Sequence, residues 1–268
     1  MKPLKRLGQN FLVDHNIIEK IVNSLSPQAG ETIIEIGPGK GALTERLVER
    51  AGRVVAVEFD RLLAPFLEEK FRGRTNFSLV AGDALVTDFC SLIQPAATAR
   101  VVANLPYNIS TAILQRLIEH RRCVTEMVLM LQREVVDRIT APPGSTERGG
   151  LTVLVEAYTN AEKLFDVAPG AFRPVPKVWS SVVRLQVIGA GNVPIKNEEL
   201  LFQLVRAGFA QRRKTILNNL RNSPEPLQSR IKQHGGASIV LCEAGVELQR
   251  RAETVTLAEW QKIADVID

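Results

Sequence analysis

Apolar and polar residues follow one another along this chain in two different periods, and the switches between them mark its elements. Over residues 14–25, "DHNIIEKIVNSL", apolar positions fall at helical spacing behind an aspartate able to cap a first turn. Five short, nearly continuous apolar runs follow: "ETIIEIG", "RVVAVEFD", "NFSLVAG", "ARVVANLP" and "TEMVLMLQ". Amphipathic helical stretches lie among them, "ALTERLVERA", "RLLAPFLEEKF" and "TAILQRLIEH". Continuous apolar strands alternating with helices predict a parallel sheet covered on both faces. Further on, "AEKLFDVA" and "SSVVRLQV" read as two more strands, while "LTVLVEAY" fits either period. At 187–194, "VIGAGNVP", the composition shifts to glycine and proline and reads as a linker. Beyond it the pattern is helical: "NEELLFQLVRAGFAQ", "KTILNNLR", "PLQSRIKQH" and "TLAEWQKIADVI". The expectation is a doubly wound α/β domain over residues 1–187 and a small all-helical domain over 188–268.

Composition narrows the function classes only modestly. The 268 residues contain no apolar run near the roughly 18–20 needed to span a bilayer. The start, "MKPLKRLGQNFLVDHN", is basic but lacks the apolar segment and cleavage site of a signal peptide, so a cytoplasmic protein is expected. Cys90, Cys123 and Cys242 are isolated, odd in number and without metal-ligand spacing. They read as unpaired thiols in a reducing compartment, and no metal site is expected. A net charge of +5 permits a polyanionic partner without requiring one.

Candidate chemistry gathers at strand ends. "EIGPGKGA" closes the first strand of the sheet and opens a helix. Gly37, Gly39 and Gly41 allow tight turns and close approach of backbone to a ligand, at the sheet end where open α/β folds bind. The same residues satisfy the relaxed dinucleotide fingerprint, so a nicotinamide cofactor competes on this motif alone. Glu58 ends the next strand, about 20 residues on, where a carboxylate suits a ribose diol. Asp83, in "GDA", ends the third, where it could read an adenine edge. Each acid alone reads as a solvated strand end; three ligand-type features on consecutive strands are harder to ascribe to chance.

"NLPYNIST", residues 104–111, ends the fourth strand. In purely structural terms Pro106 stops the strand, and Asn108 or Ser110 caps the next helix. Nucleobase chemistry gives the same residues another use. An adenine amino group is a poor nucleophile because its lone pair is delocalised into the ring. Asn104 Oδ1 and the Leu105 carbonyl can accept its two hydrogens and favour a pyramidal nitrogen, with Pro106 fixing the carbonyl's direction. Tyr107 can stack on the extruded base. The electrophile is then a sulfonium methyl, and a hydride-transfer enzyme has no use for this tetrapeptide.

These motifs resemble those of the bacterial small-subunit (16S) ribosomal RNA adenine N6,N6-dimethyltransferases. The resemblance rests on "GQNFL" at 8–12, "EIGPGKGALT" at 35–44, "VEFD" at 57–60, "GDAL" at 82–85 and "NLPYNIST". It continues through "FRPVPKVWSSVVRL" at 172–185 and "FAQRRKTILNNL" at 209–220; the last 50 residues match least distinctively. It implies a Rossmann-like methyltransferase sheet that uses S-adenosylmethionine, and dimethylation of two adjacent adenosines near the 3′ end of 16S rRNA during subunit biogenesis. By resemblance, Asn10, Leu12, Gly37, Gly39, Glu58, Asp83 and Asn104 line the cofactor. Asn104, Leu105, Pro106 and Tyr107 hold the target adenine, and Phe172 stacks on its other face.

In the helical domain Arg212, Arg213 and Lys214 stand together and read either as a solvated turn or as a phosphate-contacting patch for RNA. Lys5, Arg6, Arg173 and Lys177 could extend that surface. The partner expected is 16S rRNA within the small subunit or its precursor, bound by a monomer with no membrane attachment. The competing readings are a 23S rRNA adenine methyltransferase, a DNA adenine methyltransferase, a non-catalytic assembly factor and a nicotinamide oxidoreductase.

Overall fold

Residues 10–189 and 195–268 are described in a computed structural model of the chain. Lys5 and Arg6, and most of the expected linker, lie outside the described residues. The chain divides into two units: residues 1–136 with 160–189, and residues 137–159 with 190–268. The expected boundary near residue 187 thus misses a segment, because 137–159 leaves the first unit and joins the second.

In the first unit Asp14 accepts from the backbone N–H groups of Asn16 and Ile17 and starts α1, His15–Leu25. Its apolar stripe, Ile18, Ile21, Val22 and Leu25, is buried in the core. Then come β2 (Thr32–Ile36), α2 (Thr44–Arg50), β3 (Arg53–Glu58), α3 (Ala64–Lys70), β4 (Phe77–Ala81), α4 (Phe89–Leu92), β5 (Ala99–Asn104), α5 (Ser110–Glu119) and β6 (Val124–Gln132). A two-residue strand, β1 (Phe11–Leu12), precedes α1, and α6 (Arg133–Ile139) follows β6. The unit closes with β7 (Thr159–Val167), β8 (Phe172–Arg173) and β9 (Ser180–Val187).

The main sheet runs β4-β3-β2-β5-β6-β9-β7. β2 through β6 pair in parallel, while β9 pairs antiparallel with β6. The sheet is therefore mixed, with helices on both sides, rather than wholly parallel. Every residue of β2 is buried, which is why its sequence reads as an unbroken apolar run. Strand order reverses between β2 and β5, leaving a crevice beyond their carboxyl ends where ligands of such folds sit.

β1 and β8 form a separate antiparallel pair that apolar periodicity does not reveal, with Phe11 opposite Arg173 and Leu12 opposite Phe172. The thiols depart from expectation. Cys90 and Cys123 form a disulfide with Cα atoms 5.6 Å apart, and only Cys242 is free. The sheet brings them together: Cys90 sits in α4 just before β5, Cys123 just before β6, and the Ala99 N–H donates to the Cys123 carbonyl (2.8 Å). Isolation in sequence says nothing about neighbours across a parallel pair.

The second unit is helical. "LTVLVEAY" resolves to α7, Gly150–Tyr158, which packs its Tyr158 ring 6.1 Å from Phe202 of α8, Glu198–Gly208. α9 (Ile216–Arg221), α10 (Leu227–Gln233), α11 (Ala237–Glu243) and α12 (Leu257–Ile267) complete it, and α11 had no counterpart in the periodicity. Trp260 is fully buried at its centre against Gly208, where a side chain would collide with the indole. No described helix is long and apolar enough to cross a membrane.

Candidate active site

The carboxyl ends of β2, β4 and β5 are fixed by backbone bonds that continue the ladders. The N–H of Gly37 donates to the Val57 carbonyl (2.9 Å), that of Gly82 to the Glu58 carbonyl (2.9 Å), and that of Leu105 to the Met130 carbonyl (3.2 Å). The loops leaving these strands enclose a cavity of about 270 Å³. Asn10, Leu12, Gly37, Gly39, Glu58, Asp83, Asn104, Leu105, Pro106 and Tyr107 all line it.

Gly39 needs to be glycine twice over. Its φ is +59°, and a Cβ there would lie 3.2 Å from the Phe11 ring, which rests on the turn. Lys40 closes over the same ring, its Nζ 4.9 Å from the centroid. The short strand β1 is thus seated directly on the glycine turn and forms a wall of the cavity.

Two buried carboxyls face this space, and they differ. Glu58 accepts from the N–H of Gly39 (3.0 Å) on one oxygen and from that of Asp60 (2.8 Å) on the other. Burial raises its pKa, and those backbone bonds oppose the rise. A carboxylate has about four lone-pair positions, so capacity for a diol remains after both bonds. Glu35, inside β2, is 1% exposed. Burial drives its pKa up to about 8, against a 2.6 Å hydrogen bond donated by the Thr44 hydroxyl. It is therefore uncharged at neutral pH.

At the other end, the Asn104 Nδ2 donates to the carbonyl oxygen of Asn10 (3.2 Å). A carbonyl partner requires the nitrogen on that side, so Oδ1 is the acceptor the amide has left to offer. The Tyr107 hydroxyl and Ser180 Oγ are 2.8 Å apart, which fixes the ring, and partial burial raises the phenol's pKa. Asp83 is half-buried and accepts from the Leu85 N–H (2.9 Å).

The donor set fits an adenosyl group: backbone N–H groups and open glycine space on β2's loop, a carboxylate for a diol on β3, a second acid on β4's loop. A Cβ at Gly37 would meet nothing within 4 Å, so that space is open to a ligand. The model of the ribosomal RNA adenine dimethylase family matches residues 2–263.

The chain belongs to the ribosomal RNA adenine dimethylase family.

It is 42% identical over 265 residues to "Ribosomal RNA small subunit methyltransferase A" of Hahella chejuensis, covering 98% of this chain and 92% of that one. A protein of the same name from Pseudomonas putida is 42% identical over 261 residues, 97% of this chain and 93% of that one. Among solved structures, a dimethyladenosine transferase from Plasmodium falciparum superposes with a TM-score of 0.77 at 25% identity, covering 94% of this chain and 95% of the other. The 23S rRNA methyltransferase ErmE gives 0.72 at 26% identity, covering 97% and 100%. The chain is thus an rRNA adenine dimethyltransferase with S-adenosylmethionine as methyl donor, which removes the nicotinamide alternative left open by the glycine motif.

Two expected site residues are placed elsewhere. Phe172 is 1% exposed and belongs to the core cluster, so its ring presents no open face to a base. Its pairing with Leu12 sets it against the core, where it anchors β1 instead. Arg212 is committed within its own unit: its guanidinium donates to the carbonyls of Thr146 and, at 3.4 Å, Arg148. Glu35 and Ser180 carried no expectation. An acid inside the apolar run "TIIEIG" was the available signal for Glu35; nothing local announced Ser180.

Glu35 gives this site a pH signature. Its folded pKa of about 8 stands above the unfolded value of 4.5, so the folded state holds the extra proton between those limits. Stability must then fall as pH rises through that window, by at most about 1.4 kcal/mol per unit. Glu35→Gln, which keeps an acceptor for Thr44, should flatten the decline in urea midpoint between pH 5 and 8. An equally steep decline in the variant would show that Glu35 is ionised in the fold.

Proposed function

We propose that the enzyme transfers two methyl groups to N6 of each of two adjacent adenosines near the 3′ end of 16S rRNA, acting in the cytoplasm on the small subunit or its precursor. The observation that carries this reading is the Asn104 amide, oriented by Asn10 with Oδ1 left as its acceptor, beside Tyr107 and the Leu105 backbone in one cavity. The full-length likeness to small-subunit methyltransferases at 42% identity favours 16S over 23S rRNA, since ErmE is 26% identical.

S-adenosylmethionine supplies an electrophilic methyl on a sulfonium. The chain's part is to hold and prepare the amine. Gly37, Gly39 and Glu58 hold the adenosyl end, Glu58 through the ribose, and Asp83 takes an adenine edge. Tyr107, locked by Ser180, stacks on the flipped target base. Asn104 Oδ1 and the Leu105 carbonyl accept the two N6 hydrogens, which localises the nitrogen lone pair and makes it nucleophilic. With the methyl accepted from that sulfonium, N6 would become positive while Asn104 and Leu105 hold it. It sheds one proton to water, so no strong base is required. After the first transfer one hydrogen remains on N6, and the same acceptors serve the second.

Labelled methyl transfer to stripped small subunits, large subunits and duplex DNA separates this reading from its rivals. The expected result is label on two adjacent adenosines of the small subunit, with none on the other two substrates. Label on large subunits would assign the chain to the 23S activity, and no label anywhere would mark a non-catalytic assembly factor.

Selecting two adenosines in a whole subunit requires contacts beyond one adenine pocket. Arg213 and Lys214 are exposed on the turn before α9, and we assign them to phosphate contact, with Arg212 holding the turn in shape. Replacing both with alanine should weaken subunit binding and reduce the log–log salt slope by about 1–2 units, with cofactor affinity unchanged. An unaltered slope would return the turn to solvent.

A further inference from the structure

Between Phe172, which pairs with Leu12, and Ser180, which bonds Tyr107, runs the six-residue loop Pro174–Trp179. Both its ends are therefore tied to the cavity wall. The loop nevertheless displays three large apolar side chains to solvent: Val175 at 57% exposure, Val178 at 41% and Trp179 at 44%. Nothing in the amine chemistry above uses them.

Trp179 is the best organised of the three. Gln132 and Ser180 are the last register pair of β6 and β9, so Arg133 and Trp179 stand one step past the ladder's end. The Arg133 N–H donates to the Trp179 carbonyl (2.9 Å), continuing the pairing. The Arg133 guanidinium lies over the indole at 5.7 Å from the centroid, within cation–π range. The indole is thus held on a rigid strand end with an exposed arginine at its side. Its neighbour Ser180 points inward to Tyr107, whereas Trp179 faces out, so one chain step and one hydrogen bond separate the two rings.

The electrostatic setting selects the occupant. From Ala168 to Gly189 the sequence has no aspartate or glutamate but has Arg173, Lys177 and Arg184. Arg173 and Lys177 are exposed on the loop or beside it. The acids near Arg133 include the adjacent Glu134, Asp137 one turn on along α6, and Asp166, whose pKa is lowered by Lys163 first, then Ser181, and least by Arg133. An exposed aromatic ring with stacked and flanking cations is the composition that binds an unstacked nucleobase and its phosphate.

We propose that Trp179, with Arg133, is a stacking platform for the nucleobase next to the target, the partner adenosine of the pair, and that Lys177 takes the intervening phosphate. This rests on the functional reading above. It gives the enzyme a way to hold one adenosine of the pair outside while Tyr107 holds the other inside. Trp179 is then a specificity-determining contact to substrate and no part of the methyl-transfer machinery.

The test has two arms. In the first, methylation of stripped small subunits is measured for wild type, Trp179→Ala and Trp179→Phe. Losing one stacked base should raise KM about 5- to 100-fold in Trp179→Ala, with kcat within about twofold, and phenylalanine should restore most of the loss. Unchanged affinity for S-adenosylmethionine verifies that the variants fold. In the second arm, the full-length chain is titrated with tri-adenylate while tryptophan emission is followed. The chain has two tryptophans, and Trp260 is fully buried, so quenching reports Trp179. Quenching in the wild type and none in Trp179→Phe is the expected result.

An unchanged KM in Trp179→Ala overturns the proposal even where tri-adenylate quenches. A raised KM without quenching overturns it too, and assigns the loop to a protein or a sugar-phosphate contact. A wild-type chain that quenches with tri-adenylate but methylates no small subunit would sink the functional reading and leave the base platform standing.

Discussion

The Asn104 amide donates to the Asn10 carbonyl across 94 residues of sequence, and the chemistry proposed for the site hangs on that bond. An asparagine side chain at a strand end can present either its oxygen or its nitrogen to a ligand. Only the oxygen can accept a hydrogen from an amine. The Asn10 carbonyl settles the matter by taking the nitrogen. Asn10 stays in place because β1, next to it, pairs with β8 and rests its Phe11 ring on the glycine turn. Phe172, the partner of Leu12, is sunk in the core. A two-residue strand thus couples the glycine turn, the Asn104 amide and the core.

The same cavity must take a positively charged cofactor and a neutral base without leaving buried charge unpaired. At the end of β3, burial raises the pKa of Glu58, but backbone N–H groups, those of Gly39 and Asp60 among them, oppose the rise. Glu35 lies within β2, before the glycine loop. Its donors are the hydroxyl and, more weakly, the backbone N–H of Thr44, and burial outweighs both, raising its pKa to about 8. Burial pushes both glutamates up, and more backbone donors oppose it at Glu58 than at Glu35.

Much of this was legible in the sequence. The unbroken apolar runs marked the parallel strands, and their ends marked Gly37, Glu58, Asp83 and Asn104, because in such sheets ligand groups gather where strands stop. What periodicity could not supply were pairings between distant segments. β1 and β8 are two residues each, too short for any period. The Cys90–Cys123 bond, the Asn10–Asn104 bond and the Ser180–Tyr107 bond all join residues more than 30 positions apart. Phe172 shows the opposite error: its motif suggested a ring facing a base, whereas burial to 1% makes it an anchor. The segment 137–159 moved between units for a similar reason, since an apolar helix such as α7 carries no mark of which neighbours will cover it.

The reaction proposed above turns on one step, the action of Asn104 on the amine through its oriented oxygen. Single-turnover methyl transfer to stripped small subunits, with cofactor saturating, measures it apart from binding. Asn104→Ala is expected to slow the step by about 100-fold or more, as loss of a positioned transition-state contact does, while small-subunit affinity stays near the wild-type value. A folded Asn104→Ala variant that transfers methyl at the wild-type rate would contradict it.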